Sequence, residues 1–192
     1  MPDNLNTVTN VSAGKPKIGG AIFRAPLGTT LPTTADASLD AAFSCMGFVS
    51  EDGVTNSNGV NTSAVKSWGG DTVLTLQESR DDTFQFTLIE SLNVDVLKAF
   101  HGDGNVSGAI STGITVTANA HDLGTKIYVI DMIMRNNAMK RIVIPDAMIS
   151  ETGDVVYKDN DVVGYPITLS AQPDSSGNTH YEYIKAASGS GT

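Results

Sequence analysis

A chain of 192 residues with 40% hydrophobic and 17% charged residues is long enough to bury a core and too apolar to be disordered. Its 21 acids against 12 bases give a formal net charge of -9, which repels nucleic acid and anionic membranes, and the largest basic cluster, Lys140-Arg141, is too small for a phosphate-binding patch. The single cysteine, Cys45, excludes an intrachain disulfide; with no signal-peptide pattern at Met1-Pro2-Asp3-Asn4 and no apolar run of bilayer length, the expectation is a soluble, cytoplasmic protein with no membrane partner.

Residues 1–20 are polar and read as an arm without a core of its own. Residues 21–185 read as one domain and 186–192 as a flexible Ala-Ser-Gly tail. A short strand is predicted at Ala21 to Ala25, then turns at Gly28 and Pro32, then a short helical stretch from Asp36 to Ser44. Ser50 to Gly70 is long, rich in Asn and Gly, and poor in residues to bury, so it reads as a functional loop whose centre, Asn58-Gly59, suits a hairpin. Thr72 to Ser79 and Thr83 to Glu90 alternate with the period of a strand, the second placing Phe84, Phe86 and Leu88 on one side; Arg80-Asp81-Asp82 reads as a turn between them.

One helix is predicted after Asn93. Asn93 caps it, Leu92 staples onto Leu97, Gly102 ends it, and Val94, Leu97 and Phe100 share a face. Lys126 to Arg135 and Met139 to Pro145 read as strands joined by Asn136-Asn137, which tolerate left-handed backbone. Asp154 to Lys158 and Val162 to Ala171 flank a turn at Asp159-Asn160-Asp161, and His180 to Lys185 forms a last strand. The fold class is therefore mainly β: an antiparallel sandwich or open barrel with a flanking short helix.

The chemical inventory is thin, and the expectation is a protein that is not an enzyme, with no catalytic, cofactor-binding or metal-ligating residues. His101, His121 and His180 lie far apart, without metal-ligand spacing, and read as surface residues. Cys45 reads as a small buried hydrophobe beside Phe43 and Met46. Asp159-Asn160-Asp161 fails as a calcium loop, since the glycine is displaced to Gly164 and the twelfth position is Ser170. Trp68, the sole tryptophan, reads either as an anchor where the chain re-enters the sheet or as a contact with a neighbouring subunit.

Five segments, in order, resemble a known family: residues Ile22-Phe23-Arg24-Ala25-Pro26-Leu27-Gly28-Thr29-Thr30-Leu31-Pro32-Thr33, Gly47-Phe48-Val49-Ser50-Glu51-Asp52-Gly53-Val54, Trp68-Gly69-Gly70-Asp71, Asp82 to Glu90 followed by Val96-Leu97-Lys98, and Asn178-Thr179-His180-Tyr181-Glu182-Tyr183. Together, over about residues 20 to 185, they resemble the major tail tube proteins of long, non-contractile-tailed bacteriophages. That resemblance implies a β-sandwich with a flanking helix, hexameric rings stacked into a tube around a tape measure protein, terminator and distal tail proteins at the ends, and double-stranded DNA passing through the lumen without specific binding. It implies a virion component assembled in the host cytoplasm. On this expectation the 50–70 loop contacts neighbouring subunits, with Asp52, Asn56, Asn58 and Trp68 as candidates and its tip at Thr55 to Asn61. Glu78, Asp81, Asp82 and Asp131 are candidate acids of the lumen wall, ordinary solvent-facing placement being the alternative for each. A capsid decoration or tail terminator protein shares the acidic, mainly β character. A carbohydrate-binding module is a third reading, disfavoured by an aromatic content of 6%.

Overall fold

The computed structural model describes residues 6–187, so the outer ends of the expected arm and tail, 1–5 and 188–192, lie outside the described residues. In chain order the elements are β1 (Lys15–Pro16), β2 (Ile22–Ala25), β3 (Ser44–Cys45), β4 (Val49–Lys66), β5 (Thr72–Leu88), α1 (Val94–His101), β6 (Val106–Ala109), β7 (Gly113–Val116), β8 (Thr125–Ile133), β9 (Met139–Thr152), β10 (Tyr165–Ala171) and β11 (Tyr181–Lys185). Nine strands form one antiparallel sheet in the order β3-β2-β8-β9-β10-β5-β4, with β1 on β8 and β11 on β9, while β6 and β7 pair separately. The fold is mainly β and sandwich-like, with no closed barrel.

β9 belongs to two layers. Its first part pairs with β8 and β11, as in Val143 opposite Val129 and Tyr181, and its last part pairs with β10, as in Ile149 opposite Leu169. The core lies between the layers. Phe84, Phe86 and Leu88 of β5 stand in register with Leu169, Ile167 and Tyr165 of β10, and face Ile22, Ile130, Ile142 and Ile144 across the interior. The period-two pattern of β5 therefore marks a strand with one buried face. β8 and β9 instead run as continuous buried stretches, Ile127 to Asp131 and Arg141 to Pro145. Their second face is covered by the segment 26–43, onto which Arg141 donates hydrogen bonds at the Thr34 (3.1 Å) and Ala37 (2.7 Å) carbonyls.

That covering segment corrects the helix expected at Asp36 to Ser44, which is a run of turns ending in β3. Thr34 Oγ1 accepts from the Ala37 amide (3.1 Å) and Asp40 Oδ1 from the Ala42 amide (2.9 Å), so side chains take the donors a helix would use. The segment Asp154 to Lys158 is likewise not a strand: residues 153–164 form a loop pinned to the core by Val155 and Val163. Asn136 and Asn137 do take left-handed backbone, at φ 57° and 56°, between β8 and β9.

The helix forms where its caps predict. Asn93 Oδ1 accepts from the Asp95 amide (3.0 Å), and Gly102, at φ 100°, ends it while donating to the Lys98 carbonyl. Its buried residues are Val96, Leu97 and Ala99, with Val94 and Phe100 packed at the margin of the core. Leu92 is 69% exposed and makes no staple, because the turn before the cap directs it outward. The arm is fixed at several points: β1 pairs with the end of β8, the Arg135 guanidinium donates to the Val8 carbonyl (2.7 Å), and the Arg135 amide donates to Ser12 Oγ (2.5 Å). None of residues 6–20 is buried.

Candidate assembly surfaces

The expected 50–70 loop is not a loop. Residues 49–66 are β4, paired with β5 down to Lys66 opposite Thr72, and the turn is Ser67-Trp68-Gly69-Gly70-Asp71. The Ser67 amide bonds the Asp71 carbonyl (2.8 Å), the Gly70 amide bonds the Ser67 carbonyl (2.9 Å), and Gly70 takes the φ of 92° that the turn requires. Asn58-Gly59 is extended strand opposite Asp82 and Asp81, and Arg80-Asp81-Asp82 is mid-strand rather than a turn. Polar β-ribbon with both faces in water lacks the apolar alternation by which strands are recognised, which is why it reads as a loop.

β10 supports β5 only from Thr83 to Leu88. Beyond Thr83 the ribbon is two strands wide and extends about 35 Å at the usual rise of a strand. Every residue of β5 from Thr72 to Asp81 is exposed. An isolated two-stranded ribbon is marginally stable in water. This one also carries apolar side chains into solvent: Val65 and Leu74 are directly paired and Leu76 follows on the same face, at 44%, 51% and 47% exposure, and Trp68 stands at the tip wholly exposed. The anchor reading of Trp68 is thereby excluded.

The other candidates separate. Asp52 lies at the irregular start of β4, Asn56 and Asn58 lie along it, and Trp68 lies at the far tip, so the four do not cluster. Glu78 and Asp81 are exposed on the ribbon, Asp81 accepting from Asn61 Nδ2 (2.8 Å). Asp82 and Asp131 correct the expectation of free wall acids, since both are 3% exposed and fully engaged. An alternating pattern gives no hint of this; only the fold brings their partners in.

Asp82 anchors the root of the ribbon. It accepts from Asn56 Nδ2 (2.8 Å) on β4 and from Thr179 Oγ1 (2.6 Å), and it pairs with His180 Nδ1 (2.5 Å), tying the lead-in to β11 to β5. His180 is thus a half-buried latch residue rather than a free surface one, and its ring packs edge-on against Phe84 at 5.4 Å. Burial pushes the Asp82 carboxyl up, but the hydrogen bonds from Thr179, His180 and Asn56 outweigh it, leaving its pKa below the ordinary 3.8. A carboxyl depressed in the folded state stabilises fully above its unfolded pKa and loses that contribution as pH falls through the folded value. Acidification below 3.8 is therefore expected to weaken the latch, and Asp82→Asn to flatten this acid limb of a urea-denaturation series; an unchanged limb would show that the latch carries no stability.

Asp131 meets Arg141 in a two-point contact, Nε to Oδ1 at 2.6 Å and Nη2 to Oδ2 at 2.8 Å, with Lys17 of the arm at 3.3 Å. Elsewhere Asp103 bridges Arg24 and Lys126, each at 2.8 Å. Cys45 is half-buried rather than interior, its sulfur accepting from the Gly47 amide (3.4 Å). His121 is exposed, and burial lowers the pKa of His101 beside Phe100. Among the described residues no three His, Cys, Asp or Glu side chains are grouped to hold a metal ion, and no helix is long and apolar enough to cross a membrane.

A family model described as phage tail tube protein matches residues 6–190. Curated proteins yield no match. Among solved structures, the cryo-EM structure of the anti-feeding prophage cap (the AFP tube terminating cap) aligns over 90% of this chain and 94% of that chain, at 8% identity and a TM-score of 0.39.

Proposed function

Since the chain belongs to the phage tail tube protein family, a structural family of the phage tail, we propose that it is the repeating subunit of a long, non-contractile tail. In this reading hexameric rings stack into a tube around a tape measure protein, terminator and distal tail proteins close its ends, and double-stranded DNA passes through the lumen. Assembly takes place in the host cytoplasm and is driven by the subunit's own surfaces, with no catalytic step.

The observation that carries this reading is the unsupported ribbon. A single copy leaves Val65, Leu74, Leu76 and Trp68 in water at the end of two strands that nothing among the described residues braces. Burying them against neighbouring copies supplies the third layer that the ribbon lacks. The candidates Asp52, Asn56, Asn58 and Trp68 then lie at different depths along one bridging arm, and Glu78 and Asp81 remain as exposed acids that repel passing phosphates.

Electron microscopy of the purified chain at rising concentration is expected to show hollow tubes of stacked rings, and immunogold labelling of the parent virion to decorate the tail along its whole length. Label confined to one end of the tail would overturn the repeating-subunit reading in favour of a terminator.

A further inference from the structure

The sequence holds a single Asn-Gly pair, Asn58-Gly59, and the fold gives it no turn to make. It lies inside β4, with Asn58 opposite Asp82 and Gly59 opposite Asp81, in a stretch from Val54 to Asn61 whose register is unbroken. A glycine inside a strand weakens it, and ordinarily marks a bulge or the close approach of another backbone. Neither holds at Gly59 within the subunit: a β-carbon there would meet nothing within 4 Å. The pair instead places a nucleophile beside an electrophile, since Gly59 leaves its amide nitrogen unscreened next to the Asn58 carboxamide. Both residues lie just where β10 ceases to support the ribbon: Ser57 pairs with Thr83, where the pairing of β5 with β10 ends.

The carboxamide of Asn58 is held by its oxygen alone. Arg80 Nε donates to Asn58 Oδ1, while Asn58 Nδ2 has no partner among the described residues. The neighbouring asparagines are held by their nitrogens: Asn56 Nδ2 donates to Asp82 Oδ1 (2.8 Å) and the Thr83 carbonyl (3.0 Å), and Asn61 Nδ2 to Ser79 Oγ and Asp81 Oδ2 (both 2.8 Å). We infer that Asn58 is a site of spontaneous modification, at which the backbone nitrogen of Gly59 closes on the side-chain carbonyl. That nitrogen bonds to Cγ and gives its proton to water. The carbonyl electron pair moves onto Oδ1, where the Arg80 N–H stabilises the negative charge as an oxyanion hole does. The intermediate collapses by expelling Nδ2, which takes a proton from water and leaves as ammonia, and a cyclic imide remains. Water then opens either carbon–nitrogen bond of the imide, leaving an aspartyl or an isoaspartyl residue at position 58. The sequence of steps uses no oxidant, metal or enzyme.

Ring closure requires the strand to leave its extended form, and a ribbon two strands wide opens at low cost. The consequence rests on the ribbon's role in assembly proposed above. Both products add a carboxylate opposite Asp82, and the isoaspartyl form also lengthens the backbone between the ribbon's root and Trp68. Aged subunits thereby lose the register that presents the apolar stripe, and drop out of the assembling pool.

The full chain is incubated at mildly alkaline pH and mapped by peptide mass spectrometry, with isoaspartate counted by an isoaspartyl methyltransferase. Position 58 is expected to convert about tenfold or more faster than Asn56 and Asn61. Gly59→Ala fits the open space without strain and is expected to slow conversion by about tenfold or more. Equal conversion at the three asparagines overturns the inference. So does an intact Asn58 after an unfolded peptide of the same sequence has converted, or a Gly59→Ala chain that converts as fast as the unsubstituted one. Aged protein is then assembled, and isoaspartate is expected in the unassembled fraction and depleted from tubes; equal content in both overturns the consequence. If unaged chain forms no tubes, either alone or on a tail-tip initiator, the tube reading fails, whereas the modification itself is decided by the peptide maps.

Discussion

Excising residues 61–79 and joining Val60 to Arg80 through an Asn-Gly turn is expected to yield a folded subunit that no longer polymerises. Val60 and Arg80 are directly paired, so a two-residue turn closes the shortened ribbon without changing its register. The core is untouched, because Phe84, Phe86 and Leu88 keep their partners on β10 and Asp82 keeps Thr179 and His180. What is lost is the apolar stripe and Trp68. Their burial between copies is worth on the order of 4 kcal/mol, roughly a thousandfold in subunit affinity. Light scattering and electron microscopy read the assembly, and thermal melting shows whether the body remains folded. Normal tubes from this variant would make the ribbon a passive appendage. Excision of Thr55 to Asn61, the tip expected from sequence, is a poor test, since those residues lie within β4 opposite Gln85 to Ser79 and their removal breaks the sheet.

Asp131→Ala is expected to destabilise the subunit by about 3–5 kcal/mol, because it strands a buried guanidinium. Arg141 is 1% exposed, and Asp131 supplies two of its acceptors. The arm loosens as well, since Lys17 loses its partner. For a domain whose total stability is about 5–15 kcal/mol this is a large fraction. The shift in urea midpoint measures it, and a loss below about 1 kcal/mol would show that water or the Thr34 and Ala37 carbonyls compensate the charge. Replacing both partners, Asp131→Leu with Arg141→Met, is expected to cost much less than Asp131→Ala alone, as removing a buried pair together leaves no unpaired charge.

The signals that were legible in the sequence are local ones. Alternation in Thr83 to Glu90 marked the strand and its buried face, Asn93 and Gly102 marked the ends of the helix, and Asn136-Asn137 marked a tight turn. In each case one element's own backbone demands, or its single buried face, dictate residue type at short range. The family resemblance was legible too, and the match over residues 6–190 agrees with it.

The tertiary structure decided the rest. Leu74 and Leu76 alternate much as Phe84 and Phe86 do, yet the first pair is in water and the second in the core, because β10 ends opposite Thr83. Asp82 and Asp131 look like any strand carboxylates, yet partners up to 114 residues away engage them. Asp36 to Ser44 has helical spacing, but Arg141 claims the Ala37 carbonyl and the Thr34 and Asp40 side chains take the Ala37 and Ala42 amides. Residue type and spacing determine what a segment can do by itself; which face is covered, and by what, depends on contacts distant in the chain, and here those contacts separate the surfaces that fold the subunit from those left open for assembly.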